Sequence, residues 1–424
     1  MPVRLGAIAD DFTGATDLAA LIRRSGMSVS LFVGTPVTAL APPVDAIVIA
    51  LKTRTVPPDD AVRASLEAAR WLKQWAGAEH LFFKYCSTFD STDRGNIGPV
   101  IDALLRETGA DKTIAVPAFP ENGRRMFAGH LFVGDRLLSE SSMANHPLTP
   151  MHDSNIVRVL GRQRNGPVGL IDKTVIDAGV AAVRERFALT TANTVLVCDA
   201  IGDGDLKRLA EAFADLPFTT GGSAIGAMLA RQWRDNAAGA ATPFDWPAAG
   251  AATVLALSGS VSEATRRQVA QAIEHGWFGI RVTADEALDQ PALIARVLES
   301  LKAHRDQPCL VYATDTPAAV LDTQARLGRE QAGEALESFF GSLAVAVRSS
   351  GYNGLIVAGG ETSGAVVKSL ALDEMNVGPE IAAGVPWVRA GDLWLALKSG
   401  NFGRDSFFED ARRMLTDEET RREQ

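Results

Sequence analysis

Cysteine, histidine and tyrosine are scarce in this chain of 424 residues, at three, six and three copies. Cys86, Cys198 and Cys309 are odd in number and far apart, so they build no disulfide framework and lack the paired spacing of a zinc site. They read as buried free thiols of a reducing compartment. The histidines show neither H-x-H nor H-E-x-x-H spacing, which argues against a dedicated zinc site. No apolar run approaches the roughly 20 residues that cross a bilayer. The opening Met1-Pro2-Val3-Arg4-Leu5 runs into a strand-like pattern without an apolar leader, so a cytoplasmic protein with no membrane partner is expected. Positive charge is in deficit, 42 Lys and Arg against 51 Asp and Glu, for a net charge of −9. A cationic face for nucleic-acid phosphates is therefore not expected, whereas a small anionic ligand needs only a few local donors.

What is present is the grammar of an α/β protein. Leu5–Ala9, Ser30–Val33, Ala46–Leu51, Leu81–Lys84, Lys112–Val116, Val168–Ile171 and Thr194–Cys198 are short and almost continuously apolar, as strands are when helices cover both faces of a parallel sheet. Amphipathic helices separate them. In one, opened by Pro57-Pro58, Val62, Leu66, Ala69 and Leu72 share a face, with Arg63, Glu67, Arg70 and Lys73 opposite. Thr253–Leu257, Pro308–Ala313 and Gly354–Ala358 repeat the pattern in the second half. The Ala/Gly-rich stretch Asn236–Gly250, with Pro243 and Pro247, marks a linker between domains at 1–240 and 250–415. Trp71, Trp75 and Trp233 read as core or interface residues, and the polar tail beyond Leu415 is expected to fray. Two domains are predicted, each a largely parallel sheet flanked by helices, with the active site in the cleft between them.

In open sheets of this kind ligands bind beyond the carboxyl ends of the strands. The first strand ends in Asp10-Asp11-Phe12-Thr13-Gly14, and two adjacent carboxylates there suit a proton acceptor or a Mg²⁺ ligand, although one of them would also cap the helix. The third ends in Lys52-Thr53-Arg54, where Arg54 matches a carboxylate or phosphate bidentately. The fourth ends in Lys84-Tyr85-Cys86-Ser87-Thr88-Phe89-Asp90-Ser91-Thr92-Asp93-Arg94-Gly95-Asn96, dense in hydroxyls, carboxylates and cations. Ser87, Asp90 and Ser91 suit a polyhydroxylated ligand, and Lys84 or Arg94 its carboxylate. His152-Asp153 reads as a loop pair or the start of a helix. A phosphatase of the haloacid dehalogenase type would require D-x-D-x-T, which the adjacent aspartates break, and no G-x-S-x-G elbow suggests a hydrolase.

The second half carries small-residue turns between strand and helix: Leu257-Ser258-Gly259-Ser260, Gly359-Gly360-Glu361-Thr362-Ser363-Gly364 and Lys398-Ser399-Gly400-Asn401-Phe402-Gly403. Such turns let backbone N–H groups approach phosphates at a helix N-terminus. None is a Walker loop or a dinucleotide fingerprint. Gly221-Gly222-Ser223 opens a further helix before the linker.

Taken together, Ile8-Ala9-Asp10-Asp11-Phe12-Thr13-Gly14-Ala15, the Lys84–Gly95 loop and Gly359–Gly364 resemble the four-carbon acid sugar kinase family over nearly the whole chain. The Lys84–Thr92 run followed by Gly95-Asn96-Ile97-Gly98-Pro99 is similar to its 3-oxo-tetronate kinase branch; threonate kinases tend to carry a shorter K-x-D-S-T-x-R-G form. His152 departs from the threonine of the family pattern. The resemblance implies an acid-sugar-binding N-terminal domain and a nucleotide-binding C-terminal domain. ATP would contact Ser258, Gly360, Glu361, Thr362, Ser363 and Gly403. The implied reaction is phosphorylation of the 4-hydroxyl of 3-oxo-tetronate with Mg²⁺-ATP; the alternatives are a threonate or erythronate kinase of the same family and a non-catalytic sugar-acid-binding sensor. The residues at the strand ends place Asp10 or Asp11 as base, with Lys84 and Arg54 holding carboxylate or phosphate. No protein ligand for the metal is assigned, and a homo-oligomer is expected.

Overall fold

Leu5–Ala9 holds five residues without a polar side chain, and all five are buried. This strand, β1, sits inside a parallel sheet, with Ala46–Ala50 (β3) on one side and His80–Lys84 (β4) on the other. The computed structural model describes residues 3–37, 41, 43–145, 149–234, 244–248, 250–314 and 325–422. The chain divides into two compact units, Met1–Thr242 and Pro243–Gln424.

In the first unit the strand order is β2-β3-β1-β4-β11-β5-β10-β9. The remaining strands are Val29–Val33 (β2), Thr113–Val116 (β5), Val168–Ile171 (β9), Val195–Cys198 (β10) and Phe218–Gly221 (β11), and every pairing is parallel. A small antiparallel sheet, Arg124–Phe127 (β6), His130–Val133 (β7) and Arg136–Leu137 (β8), lies between β5 and β9 in the chain. Helix α1, Phe12–Arg24, packs on α8, Ser223–Trp233, and α2, Pro58–Gln74, packs on α3, Ile97–Thr108. The remaining helices of this unit are α4, Ile156–Gln163, α5, Lys173–Asp177, α6, Val180–Ala188, and α7, Asp203–Phe213.

Helix α2 starts where Pro57-Pro58 predicts, because proline at the first helical position surrenders an N–H that has no partner there. Its buried face is turned from the expected one: Ala61, Ser65, Ala68, Ala69, Trp71 and Leu72 are inside, while Val62 and Leu66 are half-buried. Trp71 and Trp233 belong to the interior, but Trp75 is 48% exposed. Cys198 and Cys309 are buried free thiols and Cys86 is half-buried. Burial pushes the Cys86 thiol up to about 12.

In the second unit Phe278–Arg281 (β13), Cys309–Tyr312 (β14), Val254–Ser258 (β12), Gly354–Ala358 (β15) and Leu393–Lys398 (β18) run parallel in that order. Val385–Ala390 (β17) and Glu374–Ala382 (β16) extend the sheet antiparallel. Its helices include α9, Glu263–Glu274, α10, Ala284–Ala287, α11, Gln290–Ala303, α12, Arg329–Ser349, α13, Gly360–Ser369, and α14, Phe407–Thr416. Trp387, Trp394, Phe407, Phe408 and Met414 join the strand residues Ala256 and Ile356 in one core.

Both units are therefore α/β, each a largely parallel sheet flanked by helices. Most of the expected linker, 236–243 and 249, lies outside the described residues. Phe244 and Trp246, which follow, meet edge to face at 4.8 Å and pack on the second core. The tail does not fray as expected at its start. A further helix, Glu418–Arg422 (α15), forms, and Arg421 donates to Pro247 O at 3.0 Å and to Met414 O at 3.1 Å, its guanidinium over the Trp246 ring.

Candidate active site

Three neighbouring strands of the first unit deliver the charged residues to one sheet edge. Where β1 ends, Asp10 N–H donates to Lys84 O at 3.1 Å, and Asp10 O accepts from Thr53 N at 2.9 Å and Arg54 N at 3.2 Å. Arg54 thereby turns back over the aspartates. Its Nε and one terminal nitrogen donate to the two oxygens of Asp10 at 2.9 and 2.8 Å, and the latter nitrogen also reaches Asp11 Oδ1 at 2.6 Å. The Asp90 carboxylate stands 3.6 Å from the remaining nitrogen. Lys84, buried, places Nζ 3.8 Å from Asp11 Oδ1. A small cavity behind Arg54 is lined by Asp10, Arg54, Phe83, Asp90, Ser91 and Asn96, among others.

Asp11 is the N-cap of α1: its Oδ1 accepts from Gly14 N at 3.2 Å and its Oδ2 from Thr13 Oγ1 at 2.7 Å. The capping role and the charged cluster thus fall on one residue, while Asp10 is the surplus carboxylate. The environments drive the two apart. Burial raises Asp10, and Arg54 only partly offsets it. Burial also works to raise Asp11, but the charges of Arg54 and Lys84 and the hydrogen bonds from Thr13 and Gly14 outweigh it and bring the carboxyl down to about 2.

The loop after β4 is organised from outside by amides. Asn96 Nδ2 donates to the carbonyls of Thr53 and Val56 at 2.7 and 2.9 Å, fixing the Arg54 turn. Gln163, at the end of α4, donates to Ser91 Oγ at 3.0 Å and Thr92 O at 2.6 Å and accepts from Gly98 N at 2.9 Å. Phe89 and Asp90 both take left-handed backbone, at φ 65° and 44°, a conformation that side-chain-bearing residues adopt at a cost of order 1 kcal/mol or more each. Thr88 Oγ1 donates to Asp90 Oδ1 at 2.7 Å and buried Phe89 packs edge-on against Tyr85, and these contacts offset the strain and hold Asp90 toward Arg54.

Asp10, Asp11, Arg54, Lys84 and Asp90 are thus brought together. Ser91 is buried beside them, and Ser87 is half-buried near Gly222. Arg94 stands apart: it is exposed, and its guanidinium makes no hydrogen bond or ion pair among the described residues. Asp153 is taken by Arg158, at 2.7 and 3.0 Å, while His152 is exposed.

The second unit assembles its turns at the ends of β12, β15 and β18. Ser258 is buried and bonds Thr314 Oγ1 at 2.9 Å, and Thr314 donates on to Ser260 O at 2.8 Å. Gly359 has φ +123°, and a Cβ there would sit 2.9 Å from Thr362 Oγ1. From this turn α13 begins at Gly360, so Gly360, Glu361 and Thr362 lie in the first turn, whose N–H groups have no partner within a helix. Thr362 and Ser363 are buried, and Gly360 and Glu361 are exposed. Gly403, at φ +83°, lies in the turn after β18.

Sequence reasoning missed several residues here. Asn96 was visible only as part of a polar run, Gln163 lies within a helix and belongs to no motif, and Thr314 follows a strand without a glycine turn.

Residues 5–229 match the family model of a sugar-binding N-terminal domain, and residues 255–408 that of a nucleotide-binding C-terminal domain. A sugar-binding half joined to a nucleotide-binding half defines the class, a two-domain α/β sugar kinase. Among curated proteins, the chain is 49% identical to a 3-oxo-tetronate kinase of Burkholderia multivorans over 428 residues, and 45% identical to one of Cupriavidus necator over 426, with 97% of every chain covered. A crystal structure of a Haemophilus influenzae protein superposes with a TM-score of 0.80 at 42% identity, over 97% of this chain and 100% of that one. The chain belongs to the four-carbon acid sugar kinase family, and as a kinase with a nucleotide-binding domain it uses ATP.

Proposed function

We propose that the protein phosphorylates the 4-hydroxyl of 3-oxo-tetronate from ATP, in the cytoplasm. The observation that carries this reading is the Arg54–Asp10–Asp11–Lys84 cluster at adjacent strand ends of the sugar-binding half. The name shared by relatives at 49% and 45% identity supports the choice of acid.

Phosphoryl transfer asks the protein mainly for positioning and charge stabilisation. The acceptor O4–H gives its proton to a carboxylate, the O4–Pγ bond forms, and the bond from Pγ to the bridging oxygen breaks, releasing ADP. Asp11 suits the base better than Asp10, because its side chain is 23% exposed against 6% and its Oδ2 accepts only from the Thr13 hydroxyl, whereas both Asp10 oxygens are held by the Arg54 cation. Held ionised, Asp11 orients the hydroxyl and takes its proton late in the transfer. Lys84 lies beside it to balance charge gathering on the phosphoryl oxygens. Ser87, Asp90 and Ser91 line the acceptor's hydroxyl side. Arg94, the cation of the loop left without a carboxylate, is available to the acid's own carboxylate.

The two aspartates do not suit a protein-held Mg²⁺. Both oxygens of each are already engaged by Arg54, Thr13 or Gly14, with two cations beside them. Mg²⁺ is therefore assigned to the ATP phosphates, where it supplies neutralising charge. Ser258, Gly360, Glu361, Thr362, Ser363 and Gly403 are assigned to the nucleotide, with the first turn of α13 offering N–H groups to its phosphates.

Phosphorus and proton NMR of the product tests this reading. A phosphate ester on O4 of the oxo acid is expected, and an ester on any other oxygen would contradict it.

A further inference from the structure

The turn that follows β18 is gripped by its carbonyl oxygens. Gly400 O accepts from Ser262 Oγ at 2.7 Å and Thr265 Oγ1 at 2.8 Å. The carbonyls of Phe402, Gly403 and Arg404 converge on one atom, Gln268 Nε2, each at 3.0 Å. Ser262 caps α9, and Thr265 and Gln268 follow at intervals of three, so one helical face provides all three side chains. Lys398 Nζ adds bonds to Ser399 O and Gly400 O at 3.1 Å and to Thr265 Oγ1 at 3.1 Å. The backbone N–H groups of Asn401, Gly403 and Arg404 make no hydrogen bond among the described residues.

The approach is close. A Cβ on Gly400 would meet Ser260 Oγ at 2.5 Å and Ser262 Oγ at 2.9 Å, so only glycine admits this face of the turn to α9. Gln268 is fully buried, and its Oε1 finds no partner among the described residues. The opposite amide orientation would set an oxygen against three carbonyls, which fixes Nε2 as the donor. An amide that leaves its own oxygen unsatisfied in the interior is worse there than leucine unless its donor side is needed.

We infer that Gln268 is a positioning residue for the nucleotide: it draws the carbonyls of 402–404 toward α9 and so leaves the N–H groups of the turn to bind phosphate oxygens. The mechanism is that of a backbone concavity for anions, built by spending the carbonyls of 399, 400 and 402–404 on one side. This rests on the reading above that the Gly403 turn holds ATP. Gln268 touches no substrate and acts only through the turn.

The test is the Gln268→Leu variant, by calorimetric titration with Mg-ATP and by steady-state kinetics with both substrates. The expected result is a roughly tenfold rise in Kd and KM for ATP, the scale of one or two lost hydrogen bonds, with KM for the acid and kcat within about twofold of wild type. An unchanged ATP affinity in the folded variant, or an equal rise in both KM values, overturns the inference. Should Gln268→Leu fail to fold, Thr265→Val removes one donor to Gly400 O at nearly constant volume, and a selective rise of about threefold in KM for ATP is expected. Failure of the wild type itself to bind Mg-ATP overturns the underlying reading. Binding by wild type and variant alike overturns the role of Gln268 alone.

Discussion

The Lys84 ammonium occupies the space that any side chain at residue 14 would need: a Cβ on Gly14 would lie 1.9 Å from Lys84 Nζ and 2.3 Å from Asp11 Oδ1. Residue 14 is inside α1, where alanine ordinarily stabilises a helix by about 1 kcal/mol over glycine. Here alanine must push Lys84 away from Asp11. Gly14→Ala is expected to lower kcat/KM by about a hundredfold or more while α1 stays folded, with helical circular dichroism as the control.

Arg54 engages both oxygens of Asp10 and one of Asp11, a match that depends on the planar fork of a guanidinium. Arg54→Lys keeps the charge and loses the fork, so activity should fall by about a hundredfold with modest loss of stability. Arg54→Met leaves the buried Asp10 without its closest cation and Asp11 with Lys84 alone, and should destabilise by roughly 3 kcal/mol or more. Urea denaturation of the two variants separates these outcomes.

How much of this was legible in the sequence depended on where polarity lay. Leu5–Ala9, Ala46–Ala50 and Gly354–Ala358 are apolar throughout and could be read directly. Phe218–Gly221 was hidden by two buried threonines, one of which spends its hydroxyl on Ile114 O and Tyr85. The antiparallel strands Glu374–Ala382 and Val385–Ala390 carry Pro379 and Pro386, which argue against strands unless the strand is at a margin or irregular, and their pairing does show register shifts. The small sheet of Arg124–Leu137 turns at Ala128-Gly129 and Gly134-Asp135 and is too short to show a period. At the site, Asp10, Asp11, Arg54 and Lys84 were legible because strand ends are where ligands bind. Asn96, Gln163 and Gln268 were not, since an amide that holds carbonyls leaves no spacing to recognise.

Asp11 gives acid stability a specific component. Its folded carboxyl, at about 2, lies below the unfolded value of 3.8, so the folded state binds fewer protons between these values. The resulting stability is present above about pH 4 and is lost as pH falls toward about 2, amounting to roughly 2 kcal/mol. Asp10, raised by burial, works in the opposite sense. The difference in unfolding free energy between wild type and Asp11→Asn should therefore shrink on acidification through this window. A constant difference would deny the coupling.

Lys398 acts in a higher window because burial lowers its ammonium to about 7, against 10.5 when unfolded. Between these values the unfolded chain holds the extra proton, so this group makes stability rise with pH from about 7 to about 10. The cost below that window is on the order of a few kcal/mol, reduced by the acceptors around Nζ. Lys398→Met should flatten that part of the stability profile relative to wild type, measured by denaturant unfolding across the window.

Gln163 grips Ser91 and Thr92 from α4, so Gln163→Leu should raise KM for the acid by about tenfold and leave KM for ATP within twofold. Steady-state kinetics with each substrate varied in turn reads the split directly.

The most direct measurement of the central claim is coupled ADP release with Mg-ATP against 3-oxo-tetronate, D- and L-threonate, and D- and L-erythronate. The account predicts turnover on the oxo acid, with kcat/KM well above that for the four plain acids. Equal or greater turnover on a threonate or erythronate, or none on any acid by the folded protein, would contradict it.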